Sequence, residues 1–207
     1  MHRKQVIALL LAGGMASGLA PLQQGTSLAP VVFAQETEEN KESDTTIQYL
    51  EGEDAGKDGY VAIAKTTDDQ GRIIQETFLD ESEAPVLSVS KGYAIVKKEY
   101  DEVGNVIKES YFDTDDVPVL SASGFASVEK EYNDLKQVIK QERFDIEGNP
   151  VPYDNGCSIL AKEYNEAGQV SRETYLDADG EPMILPGKGY AAATKEYDEA
   201  GNVTVES

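Results

Sequence analysis

The chain has 207 residues, 39 acidic against 18 basic, for a formal charge of −21. That balance repels nucleic acid and anionic membrane surfaces, and so argues against both as partners. With one cysteine (Cys157), one histidine (His2) and no tryptophan, it also lacks the residues for an internal disulfide framework, for Ser-His-Asp or Cys-His chemistry, and for the common histidine zinc sites.

Residues 1–34 read as a secretory signal. Met1 to Lys4 is a short basic start, VIALLLAGGMASGLA is an apolar run, and Val32 and Ala34 fit the small-residue positions before a cleavage point. The apolar run falls short of the roughly 20 residues that a membrane-spanning helix needs. The expected localisation is therefore secreted or extracellular, with association to a cell wall open, and with no membrane insertion once the signal is cleaved. Residues 35–58 read as an acidic disordered linker, since QETEENKESDTT is polar and has no apolar periodicity. Within it, IQYL at 47–50 is either a first cap strand or nothing.

From Gly59 the chain repeats. Marker glycines at 59, 92, 124, 156 and 189 give a period of 32 or 33 residues. Five tandem units follow, at 59–91, 92–123, 124–155, 156–188 and a truncated 189–207. One residue after each marker stand Tyr60, Tyr93, Phe125, Cys157 and Tyr190. Six after it is always lysine (Lys65, Lys98, Lys130, Lys162, Lys195), and eight after it Thr67, Tyr100, Tyr132, Tyr164 and Tyr197. Apolar and aromatic residues fall at alternate positions over short spans, which is the period of a strand and not of a helix. In the second unit this places Ala94, Val96, Lys98 and Tyr100 on one face, and Tyr93, Ile95, Lys97 and Glu99 on the other.

Between the strands lies a stretch such as Tyr100-Asp-Glu-Val-Gly-Asn105. Aspartate or asparagine opens a turn by binding its own backbone, and glycine accepts positive φ near its end. A second strand runs from about Val106 to Phe112, and a second turn carries a proline: Pro85, Pro118, Pro150 or Pro182. One hairpin is too small to bury a face alone, but stacked neighbours share one. The expected fold is all-β, an elongated, solenoid-like stack of antiparallel β-hairpin repeats. Tyr100, Tyr132, Tyr164 and Tyr197 are expected to form a ladder, with the lysine ammonium groups meeting neighbouring carboxylates. The last half-unit serves as a cap with a polar edge.

The cores YDEVGNV, 100–106, and YDEAGNV, 197–203, resemble the YD or RHS-type repeat, in which Tyr-Asp-x-x-Gly-Arg/Asn opens a β-hairpin. The resemblance covers about 59–207. The units depart from it where Thr67 replaces tyrosine, Asn165 replaces aspartate and Lys136 replaces the turn glycine, and the period is longer than the usual one. It implies a secreted or surface β-repeat used in adhesion or display.

The candidate sites follow from the columns. Tyr60, Tyr93, Tyr111, Phe125, Tyr175 and Tyr190, taken as outward aromatics, suit the stacking of sugar rings at polymer spacing. The competing reading makes them ladder residues that pack neighbouring repeats, and the breaks at Cys157 and Arg143 favour it. Asp177 and Asp179 in DADGE have the start of a calcium loop without its distal spacing, so a plain Asp-Gly turn is the stronger reading and no cofactor is expected. Paired carboxylates are too numerous to mark a glycoside-cleaving site, and repeated columns lack a one-off cluster, so no enzyme is expected. Cys157, in an aromatic column, reads as a small buried apolar residue.

The expected function is thus a secreted or cell-surface, non-enzymatic repeat protein that presents a multivalent β surface for binding or adhesion. The expected partner is a cell-wall or host glycan, or a surface protein. Two alternatives stand beside it: a carbohydrate- or wall-polymer-binding module acting through the aromatic columns, and a structural spacer with no ligand.

Overall fold

The computed structural model describes residues 43–52 and 55–206. The expected signal, 1–34, and the start of the acidic stretch lie outside them. The described chain forms eleven strands: β1 (Asp44–Tyr49), β2 (Ala62–Thr67), β3 (Ile73–Leu79), β4 (Ile95–Tyr100), β5 (Val106–Phe112), β6 (Ser127–Tyr132), β7 (Val138–Phe144), β8 (Ile159–Tyr164), β9 (Val170–Leu176), β10 (Ala192–Tyr197) and β11 (Val203–Glu206). They lie in one open antiparallel sheet in the order of the sequence. The fold is all-β, and each unit contributes one hairpin: a leading strand (β2, β4, β6, β8, β10) and a trailing strand (β3, β5, β7, β9, β11).

β1 falls within 35–58, the span read as a linker. It pairs with β2 over six residues. Gln48 opposes Ile63 as Glu109 opposes Val128, and the Leu50 N–H reaches Val61 O as the Tyr111 N–H reaches Ala126 O. β1 therefore occupies a trailing-strand place ahead of the first full unit.

Both ends of the sheet use the same turn. At the first, Asp101 Oδ1 accepts the N–H groups of Val103 (3.1 Å) and Asn105 (2.7 Å), and Asp101 N–H donates to Asn105 O at 3.0 Å. The residue before Asn105 takes positive φ, 87° at Gly104, and the register shifts between Glu99 and Tyr100, as a bulged hairpin requires. Lys136 keeps the same conformation at φ 61° without being glycine, because Asn133 grips its turn through the same two N–H groups. The second turn repeats the pattern from Asp80, Asp113, Asp145 and Asp177.

After the second turn the chain runs back along the trailing strand it has just left. Pro118 bridges Phe112, and the Val119 N–H donates to Tyr111 O at 3.0 Å. The Tyr111 N–H itself donates to Ala126 O at 2.9 Å. The return segment and the next leading strand thus share one edge of β5, and residues 120–125 between them are looped out. The same happens at 87–93, 152–157 and 184–190. These loops hold six or seven residues, and the seven-residue ones fall where the period is 33. The irregular period is absorbed there, and the strand register never sees it.

Looping out also corrects the assignment of Tyr93. Strict alternation puts it with Ile95 and Lys97, yet its ring stacks 4.6 Å from that of Tyr111, which pairs with Val96 on the other face. Alternation fails because Tyr93 is not in the strand. The core lies at this end of the sheet, at the starts of leading strands and the ends of trailing ones: Ala62, Phe78, Leu79, Ile95, Val96, Tyr111, Val128, Ile159, Tyr175 and Ala193 are buried. Each large side chain fully buried in this way contributes roughly 1.5–3 kcal/mol.

Candidate functional site

One face of the sheet carries three parallel rows that run across the repeats. The first is aromatic. The looped-out segments supply Tyr60, Tyr93, Phe125 and Tyr190; the trailing strands supply Phe78, Tyr111, Arg143 and Tyr175. Ring centroids follow one another at 4.4 Å (Tyr60–Phe78), 5.8 Å (Phe78–Tyr93), 4.6 Å (Tyr93–Tyr111) and 5.8 Å (Tyr111–Phe125), then 6.2 Å for Tyr175–Tyr190. The first three pairs lie within 30° of parallel, so their faces are turned to each other. Such contacts are worth roughly 0.5–1.5 kcal/mol each beyond their burial. Tyr111 and Tyr175 are buried, and Tyr60, Tyr93, Phe125 and Tyr190 half-buried. Burial, aided by Glu109, pushes the Tyr93 phenol up to about 12, and burial with Glu173 does the same for Tyr175. These phenols stay neutral throughout the physiological range.

The second row alternates lysine and an acid or amide. Lys98 Nζ meets Glu76 at 2.9 Å, Lys130 meets Glu109 at 3.5 Å and Lys195 meets Glu173 at 3.5 Å, while Lys65 donates to Gln48 Oε1 at 2.9 Å. Each ion pair ties one repeat to the next, as the lysine column leads one to expect. The pairs are partly exposed, so each is worth less than about 1 kcal/mol.

The third row is the tyrosine column, and it is not a stack of rings. A trailing strand separates each tyrosine from the next. Each hydroxyl instead donates back to a backbone carbonyl of that strand: Tyr100 to Ile73 O (2.7 Å), Tyr132 to Val106 O (2.8 Å), Tyr164 to Val138 O (2.7 Å) and Tyr197 to Val170 O (2.7 Å). The column is a set of identical hydrogen-bonded clasps between repeats.

The rows change at the junction of the third and fourth units. Arg143 stands where Phe78, Tyr111 and Tyr175 stand elsewhere, and Cys157 replaces the loop aromatic. The missing ring comes from Tyr153, at a place held by Ser88, Ser121 or Leu185 in the other units. The Arg143 guanidinium lies between two rings, 4.8 Å from the Phe125 centroid and 4.0 Å from that of Tyr153. Gln141 takes the place of the glutamate in the second row. Cys157 is fully buried against Tyr175 and Leu185, and burial raises its thiol. The offset of nineteen residues from the marker glycine aligns Phe78, Tyr111, Arg143 and Tyr175. The sequence reading took Tyr111, Tyr175 and the break at Arg143 from that column but missed Phe78 and the compensating Tyr153.

On the opposite face, Glu129 and Glu142 are directly paired across β6 and β7. Burial, with Glu129 and Glu131 adding to it against the pull of Lys140, holds the Glu142 carboxyl above its ordinary value. Asp177 spends its Oδ1 on the N–H groups of Asp179 and Glu181, both at 3.0 Å, and Asp179 is exposed. No group of three or more histidine, cysteine, aspartate or glutamate side chains among the described residues is arranged to hold a metal ion. No helix among them is long and apolar enough to cross a membrane. Neither a family model nor a curated protein matches the chain.

Proposed function

We propose that this is a secreted, non-enzymatic repeat protein that presents a multivalent β surface to a partner at a cell wall, a host surface or another protein. The reading includes an elongated, solenoid-like form for the stack, and the resemblance to YD or RHS-type repeats fits it. One observation carries it: loops, turns and tyrosine clasps recur from unit to unit, with four such loops and four clasps, at a spacing of two strands, about 9.6 Å. A partner with a matching repeat gains avidity from contacts that are individually weak.

The alternative, a glycan track on the aromatic row, is less well supported. The faces of Tyr60, Phe78, Tyr93 and Tyr111 are occupied by one another, and a sugar needs a free face. The test is binding of the purified chain to wall polymers, glycans and surface proteins, with and without calcium, beside a variant that lacks unit 92–123. Avidity predicts that losing one unit weakens binding at least tenfold. Unchanged affinity sinks the multivalent reading, loss on Tyr190→Ala alone favours the aromatic track, and no binding at all leaves the spacer.

A further inference from the structure

We propose that Arg143, clamped between Phe125 and Tyr153, is the binding point for an oxyanion group, a carboxylate or phosphate, of an anionic ligand. The site occurs once among the described residues, so it goes beyond the avidity reading and does not depend on it.

Three departures from the repeat coincide here, and all change the site in one direction. Arginine replaces an aromatic side chain. Gln141, two residues before it on the same face, replaces the glutamate that pairs with lysine at three other junctions. Tyr153 supplies a second ring, so that both faces of the guanidinium are covered. Relative to the other full junctions, the site loses one negative charge and gains one positive charge.

Within the described protein the positive charge meets the two rings but no carboxylate. Among the described residues no ion pair joins Arg143 or Lys162 to a carboxylate, in a chain of formal charge −21. Arg143 Nε is buried without a hydrogen-bond partner. An arginine whose only task was to fill the aromatic row would do so less well than tyrosine, which packs there in two other units.

A guanidinium held flat by two rings leaves only its N–H edge for recognition. That edge is a planar fork which matches two oxygens of a carboxylate or phosphate, and the charge is permanent. Fixing the fork in advance removes the side-chain ordering that binding would otherwise cost. Lys162 stands on the same face, one strand over and without a carboxylate partner, and can meet further charge on the same ligand. The oxyanion belongs either to a sugar acid or to a phosphodiester polymer.

Calorimetric titration of the purified chain decides it, with three probes of equal length: an oligo-glucuronate, an oligo(glycerol phosphate) and a neutral glucose oligomer. The expected result is saturable binding of one anionic probe at one site per chain, with none for the neutral probe. Arg143→Tyr and Arg143→Gln each lose at least tenfold in affinity, and Gln141→Glu, which returns an acid beside Lys162, loses severalfold. Arg143→Tyr rebuilds the ring row, so its melting temperature stays at or above that of the parent; should it misfold, Arg143→Gln and Gln141→Glu still decide. The proposal is overturned if neither anionic probe binds, if the variants that fold stay within twofold of the parent, or if the stoichiometry is one per repeat.

Discussion

Gly92 and Gly124 are equivalent in sequence, and replacing each by alanine separates two costs. Both have positive φ, 78° and 82°. An alanine in that region costs about 1 kcal/mol by itself. At Gly124 a Cβ meets nothing within 4 Å, so that is the whole cost. At Gly92 it would lie 2.8 Å from the Ala122 nitrogen and 3.3 Å from the Ser121 carbonyl carbon. These are backbone atoms and cannot swing aside. The Ala122 N–H is itself bound to Lys91 O at 2.7 Å, so relief means moving the next loop and straining that bond. Overpacking of this kind costs about 1–3 kcal/mol, and the hydrogen bond about 1 kcal/mol more. Gly92→Ala is expected to lose about 3–5 kcal/mol and Gly124→Ala about 1 kcal/mol, measured by urea unfolding. At about 2–4 °C per kcal/mol the melting temperatures separate clearly. Equal losses would refute the direct contact between neighbouring loops.

Tyr132→Phe removes one clasp and leaves the Val106 carbonyl without its donor; it is expected to cost about 1 kcal/mol in urea unfolding, and the double variant with Tyr164→Phe nearly the sum. The pH dependence has two opposed parts. The Asp198 carboxyl is held low by the Asn202 side chain and by backbone N–H groups, so its contribution is present above the ordinary aspartate range and is lost as pH falls through its depressed folded value. Asp198→Asn, which copies the working Asn133 and Asn165 turns, is expected to flatten that acid loss in thermal melts. Glu142 is held high, so the folded state binds its proton more tightly and stability falls as pH rises from the ordinary glutamate range through the raised value. Glu142→Gln is expected to raise the melting temperature at pH 7 and to remove this part of the slope.

The strands and the first turn were legible in the residues. Val106–Phe112 emerges from period-two patterning, and Tyr-Asp-x-x-Gly-Asn names its turn through the chemistry of aspartate and glycine. The lysine pairing was legible too, since an unvarying column of one charge in an acidic chain must find its counter-charges. The looped-out segments were not. Nothing in Val119 to Phe125 distinguishes a continuous strand from an excursion, because what decides it is how Tyr111 divides its N–H and C=O between two distant residues. Tyr93 was put on the wrong face for that reason, and the interleaving of two aromatic columns into one row went unseen. Tyr153 could not be matched to the gap at Cys157, because its side chain fills in space a place that its sequence offset assigns to serine or leucine.

The loop whose length varies between six and seven residues has a consequence for how such a chain changes over time. Most sheet proteins resist insertion, because one added residue turns every later side chain to the wrong face. Here the pairing restarts after each excursion, so length is free to drift at 87–93, 120–125, 152–157 and 184–190 while the frame stays fixed. Exposed Val89 and Ile184 stand in these segments. Neighbouring loops still touch, as Lys91 and Ala122 do, so what drifts freely is loop length, while the strand register of every later unit is preserved.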